Sequence, residues 1–473
     1  MRRNAGFLLA ALIAQAQIPN AERAAIVQSV DQRAEHFGQI SRQIWEFAEL
    51  GYQETKSSAL LQKELASNGF TIVSGIAGAP TAFSATWGTG NPVIAIMGEF
   101  DALPGLSQAA TPAREAVIAN GAGHGCGHNL LGTASALAVI AAKEYLEQHK
   151  LPGTIRYYGT PAEEGGGGKI FMLRAGAFHD VDAVLAWHPD DAQRTGNISS
   201  LANVTGKFKF HGVASHAAMA PEAGRSALDG VMLMNMGIEF LREHVPQETR
   251  LHYIITNGGS APNIVPEQAE TYLYARHPDM PALLGIWERV QKNAEGAAMQ
   301  TETKVDVALT GSVWNVMPND PLNRLLNRNL SYVGGSPYSA EEQLFAEKLR
   351  PTTAGKKELG SQERVPAFEE SGMFSASTDA GDVSWQFPMG HFMAATWVPG
   401  VNAHTWQAAA CSGMSIGWKG MMVAAKTLSL SAIDLFLDPK LVAAAKADFK
   451  KRVGPGVYRS LIPAEQKPNP NYR

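Results

Sequence analysis

Residues 92–101 read Pro-Val-Ile-Ala-Ile-Met-Gly-Glu-Phe-Asp. The first six form a continuous apolar run, which is typical of a strand buried on both faces of a sheet. A glycine and two carboxylates follow, so the run ends in polar residues. Residues 154–158 and 182–186 also read as buried strands. The sequence therefore predicts a sheet with several buried strands.

Helical segments alternate with these strands. Apolar residues recur at helical spacing over residues 26–50, and a second helical run covers residues 59–67. Residues 130–146 are alanine-rich and contain no proline, which favours a helix. Strands that alternate with helices indicate an α/β fold, and we expect an α/β/α sandwich made of residues 20–200 and 317–435.

Residues 201–316 follow a different order of segments. A strand and a helix precede two strands, a helix and a strand, which is the βαββαβ order of a ferredoxin-like domain. We expect this region to be a separate domain inserted into the first, and residues 436–473 to be a C-terminal extension. The six segments cover residues 205–210, 226–244, 250–255, 271–274, 281–299 and 304–309.

The composition is that of an ordinary globular protein. The chain has 473 residues, of which 45% are hydrophobic and 18% charged, and its formal net charge is -4. Lysine and arginine number 40 against 44 aspartates and glutamates, without a long run of either sign, so no nucleic-acid partner is expected. The two cysteines, Cys126 and Cys411, are too few for a disulfide framework.

Residues 1–16 have the features of a signal peptide. Two arginines precede an apolar stretch, and small residues follow at the spacing that a signal peptidase prefers. We therefore expect a periplasmic or secreted protein. The alternative is an amphipathic first helix on a cytoplasmic protein, because the apolar stretch is short. Neither this stretch nor a later one is expected to be long and apolar enough to span a membrane.

The densest cluster of potential ligands is Gly-His-Gly-Cys-Gly-His-Asn at residues 123–129. Thiolate and imidazole are usual ligands of zinc-like metals. The helix that follows would favour a thiolate through its unpaired N–H groups and its dipole. The alternative is a glycine-rich turn with incidental polar residues, but packing alone rarely produces this alternation. The cluster therefore indicates a metal site.

A second cluster places Glu163 and Glu164 after a buried strand and before four glycines. Sites of α/β sheets form after strands. The two carboxylates repel each other, and a nearby dication would offset this, with one binding metal and the other holding a water. Taken alone, the pair is better explained as solvated charges at a helix N-terminus. A phosphate loop is excluded, because Glu163 and Ile170 stand where the Walker pattern needs Gly and Ser or Thr.

Three single residues complete the set: Asp101, His188 and His404. Each alone is more often a structural residue than a ligand. Together with the two clusters, they supply carboxylates, imidazoles and a thiolate at loop positions, mostly after buried strands. A metal site at the edge of a sheet needs such a set.

With these motifs the chain resembles the metallo-aminoacylase and carboxypeptidase family that includes hippurate hydrolases and plant auxin-conjugate hydrolases. The resemblance runs from about Ala34 to Ile433 and implies a catalytic sandwich with an inserted dimerisation domain. The motifs that carry it lie at residues 98–105, 123–131, 161–168, 215–218, 224–229 and 377–385.

The resemblance implies two divalent metal ions per subunit, Zn²⁺ or Mn²⁺. A cysteine sulfur would bridge the two ions. The implied ligands are Cys126, His128, Glu164, His188 and His404.

By the same resemblance Glu163 is the general base, and Asp101 steadies a ligand without binding metal. Asn129 stands where many relatives have Asp, which would change how the neighbouring imidazole is oriented.

The inserted domain would form a homodimer in which His216 reaches the partner's active site. Asn263 and Arg276 look similar to the family's polar groups near the substrate. Without the family, His216 could equally be a polar residue on a strand-to-helix turn, and Arg276 a solvated charge at a strand end.

The resulting hypothesis is hydrolysis of an amide bond. Water activated by two metal ions would attack the carbonyl, Glu163 would take its proton, and His216 of the other protomer would help to hold the oxyanion. The implied substrate is an N-acyl or N-aroyl amino acid, hippurate-like or p-aminobenzoyl-glutamate-like. The alternatives are a metallo-dipeptidase or carboxypeptidase on the same scaffold and a non-catalytic binding protein, although a binder needs no base beside its ligand.

Overall fold

The computed structural model describes residues 18–456 and 458–472. The signal-peptide interpretation of residues 1–16 lies outside the described residues. The strands of the described part form two separate sheets. They are β1 (Thr71–Ser74), β2 (Phe83–Thr89), β3 (Val93–Gly98), β4 (Gly153–Gly159), β5 (Ala183–Asp190), β6 (Arg194–Ser200), β7 (Ala202–His211), β8 (Arg250–Asn257), β9 (Gln268–His277), β10 (Lys304–Val313), β11 (Glu369–Phe374) and β12 (Met389–Ala395).

The helices of the described part pack against these sheets. Several end at glycine or begin at a polar cap, and Ser339 with Glu342 forms a complete capping box before one of them. They are α1 (Asn20–Asp31), α2 (Ala34–Phe47), α3 (Thr55–Ser67), α4 (His128–Gln148), α5 (Gly168–Arg174), α6 (Ala227–Leu241), α7 (Met280–Gln300), α8 (Asp320–Val333), α9 (Ala340–Leu349), α10 (Ala380–Ser384), α11 (Trp406–Ser412), α12 (Ser415–Leu437) and α13 (Pro439–Val453).

The larger sheet has eight strands in the order β1-β2-β4-β3-β5-β12-β6-β11. Its centre is parallel: β3 pairs with β4 and with β5, and β12 pairs with β5. On β3, Ile94 and Ile96 belong to one hydrophobic cluster with α4 and α12, while Ala95 and Met97 belong to another with α5. Helices therefore cover both faces, which confirms the predicted α/β/α sandwich.

The smaller sheet is antiparallel, in the order β10-β7-β9-β8. Along the chain its elements run β7-α6-β8-β9-α7-β10, which is the βαββαβ order predicted from the sequence. A hydrophobic cluster of its own lies between this sheet and its two helices, with Phe208, Phe210 and Trp287 among its members. This unit interrupts the chain between β6 and α8 of the larger one.

Helix α12 corrects one expectation from the sequence. By length and composition it is apolar enough to cross a membrane, whereas no such segment was expected. It packs along α4, and most of its side chains are buried in the main hydrophobic core. Burial on nearly all sides explains why this helix has no polar face.

Candidate metal centre

Neighbouring parallel strands bring the predicted site residues to one edge of the large sheet. The carboxyl ends of β4, β3, β5 and β12 meet there, because these strands are adjacent and parallel. The glycine-rich segment before α4 reaches the same edge. Asp101 follows β3, Glu163 and Glu164 follow β4, His188 lies on β5, His404 follows β12, and Cys126 and His128 lie at the start of α4.

Two groups of potential ligands share Cys126. One contains His128 and His188, the other Glu164 and His404, and the donor atoms within each group lie within 4.8 Å of one another. The Cys126 sulfur is 3.4 Å from Nε2 of His188. Nε2 of His404 is 3.1 Å from Oε1 of Glu164. The structure thus brings all five implied ligands together, with the sulfur common to both groups.

The chemistry of this set fits divalent metal ions. Thiolate, imidazole and carboxylate are the donors that zinc-like ions prefer. Nε2 of His128 and Oε2 of Glu99 are buried and face each other at 3.2 Å, yet among the described residues neither makes a hydrogen bond. A buried imidazole nitrogen and a buried carboxylate oxygen that face each other without a hydrogen bond suit a site that receives a cation.

Asp101 holds two of the implied ligands. Its Oδ1 lies 2.9 Å from Nδ1 of His128, and its Oδ2 accepts the backbone N–H of Glu164 at 2.9 Å. Because Nδ1 faces a carboxylate, the proton of the neutral ring belongs there, and Nε2 is left as the donor atom toward the metal. Asp101 therefore contacts two of the implied ligands, His128 at its ring and Glu164 at its backbone.

Two residues at the site have left-handed backbones although they are not glycine. Ala162 has φ 56° and His404 has φ 61°. The His404 N–H also donates to the carbonyl of Gly125 at 2.8 Å, which ties this loop to the Cys126 segment. Such conformations cost on the order of 1 kcal/mol or more each and persist where the surroundings impose them. Here the conformation of Ala162 directs the side chains of Glu163 and Glu164, which follow it, and the conformation of His404 directs its own side chain.

Glu163 has the environment of a base. Burial raises the pKa of Glu163 well above its ordinary value, and the carboxylates of Glu99 and Glu164 add to this rise. It forms a third group of potential ligands with Glu99 and His128 and lines the cavity beside the site. A carboxylate with a raised pKa holds an accepted proton more strongly than an ordinary carboxylate does.

A buried lysine at the site was not predicted from the sequence. Nζ of Lys169 lies 2.6 Å from Oε1 of Glu99 and 2.5 Å from Oδ1 of Asp379. Burial alone would lower the pKa of Lys169, but Asp379 and Glu99 raise it above its ordinary value. The ammonium therefore stays charged and compensates two buried carboxylates beside the ligands.

Of Lys169, Glu99 and Asp379, only Glu99 has a feature in the sequence that indicates its place at the site. Glu99 lies two residues before Asp101, so in an extended segment both side chains point the same way. Lys169 and Asp379 are 210 positions apart, and nothing local connects them.

Two residues of the glycine-rich cluster have structural roles. Nε2 of His124 lies 3.0 Å from the carbonyl of Ile44, and burial lowers the pKa of His124 to about 4. The side-chain amide of Asn129 donates to the carbonyl of Ser412 and to the hydroxyl of Ser41, both at 3.0 Å. Asn129 therefore joins α2 to the segment before α12, and His128 is oriented by Asp101 instead.

His216 and Asn263 lie together, apart from the ligands. Their segments are joined by a bridge between His216 and Ile264, and neither residue lines the cavity at the metal site. Nδ1 of exposed His216 accepts the N–H groups of Ala218 and Met219 at 3.2 and 3.1 Å. The proton of the neutral ring is therefore on Nε2, which is the donor atom of the ring.

Arg276 lies on β9 and also does not line that cavity. Its guanidinium stacks 5.8 Å from the centre of the Tyr274 ring. Its Nε is buried and makes no hydrogen bond among the described residues. An unpaired buried donor on a cation suits an anionic partner from outside the chain.

The cavity beside the ligands has a volume of about 120 Å³. Ser377 and Thr378, which carry hydroxyl groups, line it together with four of the implied ligands. Such a mixture of apolar wall and few polar groups is typical of small-molecule sites. The apolar wall is formed by Met97, Leu131, Trp187, Ile198, Phe374 and Met393.

Residues 95–429 match Peptidase family M20/M25/M40. The chain belongs to this family. The match covers the larger sheet from β3 onward, all the ligand-bearing loops and the inserted unit. The family resemblance drawn from the motifs is thereby confirmed.

Individual proteins extend the comparison over nearly the whole chain. One of the subunits of p-aminobenzoyl-glutamate hydrolase from Escherichia coli K12 is 39% identical, over 94% of this chain and 98% of that protein. Human Xaa-Arg dipeptidase is 30% identical, over 90% of this chain and 91% of that protein. The crystal structure of the Bacillus subtilis YXEP protein, a dinuclear metal-binding M20 peptidase, superposes with a TM-score of 0.59 at 17% identity, over 86% and 99%.

Membership of the M20 family makes this protein a hydrolase that acts on amide bonds. The predicted enzyme class is therefore confirmed, and the alternative of a non-catalytic binding protein is not favoured. The fold of the YXEP protein agrees with the two-sheet architecture.

Proposed function

We propose that the protein releases an amino acid from an N-acyl or N-aroyl amino acid, with p-aminobenzoyl-glutamate as the first candidate. The observation that carries this is Glu163. Its carboxylate belongs to neither of the two groups that share Cys126 but lies next to them, in a group with Glu99 and His128. The 39% identity to one subunit of a p-aminobenzoyl-glutamate hydrolase supports this choice of substrate.

Two divalent ions, Zn²⁺ or Mn²⁺, would be held by the five ligands that share Cys126, with Glu99 as a further oxygen donor. When bound, such ions polarise a carbonyl oxygen and acidify water. The protein's own contribution is then to hold His128 and Glu164 in place through Asp101 and to exclude water with the apolar wall of the cavity.

Glu163 moves the proton in this proposal. Its carboxylate takes a proton from the attacking water and delivers it to the amide nitrogen, which leaves as an amine. Lys169 supports this by compensating Glu99 and Asp379, so that a further negative charge at Glu163 remains tolerable. Burial and the neighbouring carboxylates raise the pKa of Glu163, which favours its acceptance of this proton.

Substrate positioning would come from the inserted unit. The unpaired Nε of Arg276 is suited to a substrate carboxylate, and the Asn263 amide to a polar group of the substrate. Nε2 of His216, in a second copy of the chain, would donate to the developing oxyanion. Since His216 does not line the cavity of its own chain, this role requires a homodimer.

A homodimer is supported by an exposed apolar surface on the inserted unit. Helix α6 exposes Met232, Met236 and Phe240 on one side. The neighbouring edge strand β8 exposes Ile254 and Ile255. An unpaired edge strand beside an apolar helix can pair with the same edge of a second copy across a two-fold axis.

A metallo-dipeptidase is the second candidate, because human Xaa-Arg dipeptidase is 30% identical over 90% of this chain. The two candidates differ in the group on the acyl side. An aroyl group would fill the apolar wall of the cavity, whereas a dipeptide carries a free amine there.

Amine release by metal-stripped protein reconstituted with Mn²⁺ or Zn²⁺ tests the proposal. The panel contains p-aminobenzoyl-glutamate, hippurate, other N-acyl amino acids and dipeptides. We expect metal-dependent release with aroyl substrates ahead of dipeptides. Faster cleavage of dipeptides would select the second candidate, and metal-bound protein that cleaves none of them would refute both.

We also propose export from the cytoplasm, on the basis of residues 1–16 alone. N-terminal sequencing of the protein from its native host tests this. A mature chain that still begins at Met1 would contradict it.

A further inference from the structure

Residues 458–472, which we call the tail, lie outside the matched family region and run back along the metal-binding unit. The Tyr458 hydroxyl donates to Asp382 at 2.8 Å. Ile462 is buried in the hydrophobic cluster beneath α5. Arg174 at the end of α5 donates to the carbonyl of Pro463 at 3.1 Å. The tail is thus attached at several points rather than free in solvent.

The end of the tail reaches the loop that carries the catalytic carboxylates. Gln53 donates to the carbonyl of Pro470 at 2.8 Å. The Tyr472 hydroxyl donates to the backbone carbonyl of Glu164 at 3.0 Å. The Tyr472 ring stands edge-on to Tyr52 at 5.9 Å, and Tyr52 itself donates to the carbonyl of Gly166 at 2.8 Å. Two tyrosines therefore hold two carbonyls of one loop.

The loop needs such support from outside. Residues 165–168 are four consecutive glycines, which have no side chains to pack and a large conformational freedom. Before them, Ala162 has a left-handed backbone, and its N–H is held by Glu54 at 2.8 Å. Glu164 lies between these two parts, and the direction of its carboxylate depends on where the loop is fixed.

Glu164 is held at both of its backbone polar groups. Asp101 accepts its N–H at 2.9 Å, and Tyr472 donates to its carbonyl at 3.0 Å. Gly51 makes the second contact possible, because a Cβ there would lie 2.5 Å from the Tyr472 oxygen. The sequence thus keeps space free at Gly51 for a residue that is distant in the chain.

We propose that Tyr472 is a positioning residue for the metal site: its hydroxyl fixes the peptide after Glu164 and so directs the Glu164 carboxylate. This inference rests on the metal-binding role proposed above for Glu164. It assigns to the tail a contribution to metal affinity that the matched family region does not contain. Groups that orient a metal ligand from behind typically affect affinity by about 10- to 100-fold.

Titration of the metal-free full chain with Co²⁺, followed by its visible absorption, tests this without any substrate. The variant is Tyr472→Phe, which keeps the ring on Tyr52 and removes only the hydroxyl. We expect the Co²⁺ dissociation constant to rise by about 10-fold and the absorption band to shift. In the steady state we expect kcat to fall and KM to stay within about two-fold, since the substrate contacts are untouched.

Tyr458→Phe is the matched control. It removes a hydroxyl from the same tail, but one that contacts Asp382 and not the loop. We expect a lower melting temperature with unchanged Co²⁺ affinity and spectrum. Tyr472→Phe that binds Co²⁺ like the wild type overturns the proposal, and so does an equal loss of affinity in Tyr458→Phe, which would reveal a general effect of the tail.

The outcome is separable from that of the proposed function. If the wild type cleaves none of the amides but Tyr472→Phe weakens Co²⁺ binding, the substrate proposal fails and the positioning role stands. If the wild type cleaves them and Tyr472→Phe changes neither binding nor kcat, the positioning role fails alone.

Discussion

Glu163 and Glu164 are adjacent in the chain but have different partners. The Glu164 carboxylate faces His404 at 3.1 Å, whereas Glu163 groups with Glu99 and His128. The left-handed backbone of Ala162 and the contacts of Glu164 with Asp101 and Tyr472 separate the two directions. One carboxylate can therefore bind metal while the other carries a proton.

Replacing Glu163 by Gln tests this division of roles. Glutamine keeps the shape of the side chain but cannot take a proton from water, so turnover should fall by about 10²-fold or more. Metal content, measured by elemental analysis, should remain that of the wild type. Glu164→Gln is the matched control, in which metal should be lost together with activity. Near-normal turnover of Glu163→Gln would contradict its role as base.

The surroundings of Asn129 require a side chain with N–H donors at this position. Its amide donates to the carbonyls of Ser41 and Ser412. A carboxylate at this fully buried position would face these carbonyl oxygens with a negative charge and no N–H. Asn129 is therefore tied to local hydrogen bonds rather than to the implied metal ligands.

Asn129→Asp should accordingly destabilise the fold by about 3 kcal/mol, because it buries an uncompensated charge and removes two donors. Urea unfolding measures the free energy of unfolding. Asn120→Asp, with the same charge change in an exposed loop, should differ little from the wild type. If both variants unfold at the same urea concentration, the assigned orientation of the Asn129 amide is wrong.

At the scale of elements, α10 connects three parts of the molecule. Its Asp382 accepts the backbone N–H of Trp314, just after β10, at 3.0 Å. It also accepts the hydroxyl of Tyr458 in the tail at 2.8 Å. Burial raises the pKa of Asp382 to about 8. The carboxyl is therefore protonated in the folded protein over much of the pH range in which the unfolded chain has lost that proton.

This difference predicts a pH dependence of stability. Between about pH 4 and pH 8 the folded state binds one more proton at Asp382 than the unfolded state, so the contribution of Asp382 to the free energy of unfolding falls as pH rises. Asp382→Asn keeps the shape and cannot ionise. The difference in melting temperature between this variant and the wild type should therefore rise steadily from about pH 5 to about pH 8. The contributions of the other titrating groups are the same in both proteins and cancel in this difference. Parallel melting curves across this range would contradict the raised pKa.

At the scale of the molecule, the sequence predicts what is encoded locally. Strand β3 and helix α4 follow from continuous apolar runs, and the ligands follow from short motifs at strand ends. Strands β6 and β11 are polar, with sequences Arg-Thr-Gly-Asn-Ile-Ser-Ser and Glu-Glu-Ser-Gly-Met-Phe, and they pair with each other although they are distant in the chain. Their existence depends on that pairing, so no local pattern reveals them.

The contacts that complete the site are long-range in the same way. Lys169 meets Asp379, and Tyr472 meets Glu164, only after the sheet has formed. No pattern of neighbouring residues in the sequence indicates that Lys169 or Tyr472 contacts the site. Such partners can be found only from the folded structure.

The arrangement of His216 has a consequence for the assembled molecule. His216 belongs to the inserted unit and does not line the metal cavity of its own chain. If a second copy supplies it, each active site combines Glu163 of one protomer with His216 of the other. Activity should then depend on association through α6 and β8.

Mixing two inactive variants tests this dependence. Glu163→Gln and His216→Ala should each be nearly inactive as homodimers. After exchange of protomers at equal amounts, half of the dimers are hybrid, and each hybrid has one site with both residues intact, so about a quarter of wild-type activity should return. Adding Phe240→Glu on α6 to both variants should produce monomers in sedimentation and abolish the recovery, because it places charge on the exposed apolar surface. The control Leu344→Glu, at an exposed apolar residue of α9, should leave dimer and recovery intact. Full activity of a monomeric Phe240→Glu protein with wild-type Glu163 and His216 would show that each chain works alone.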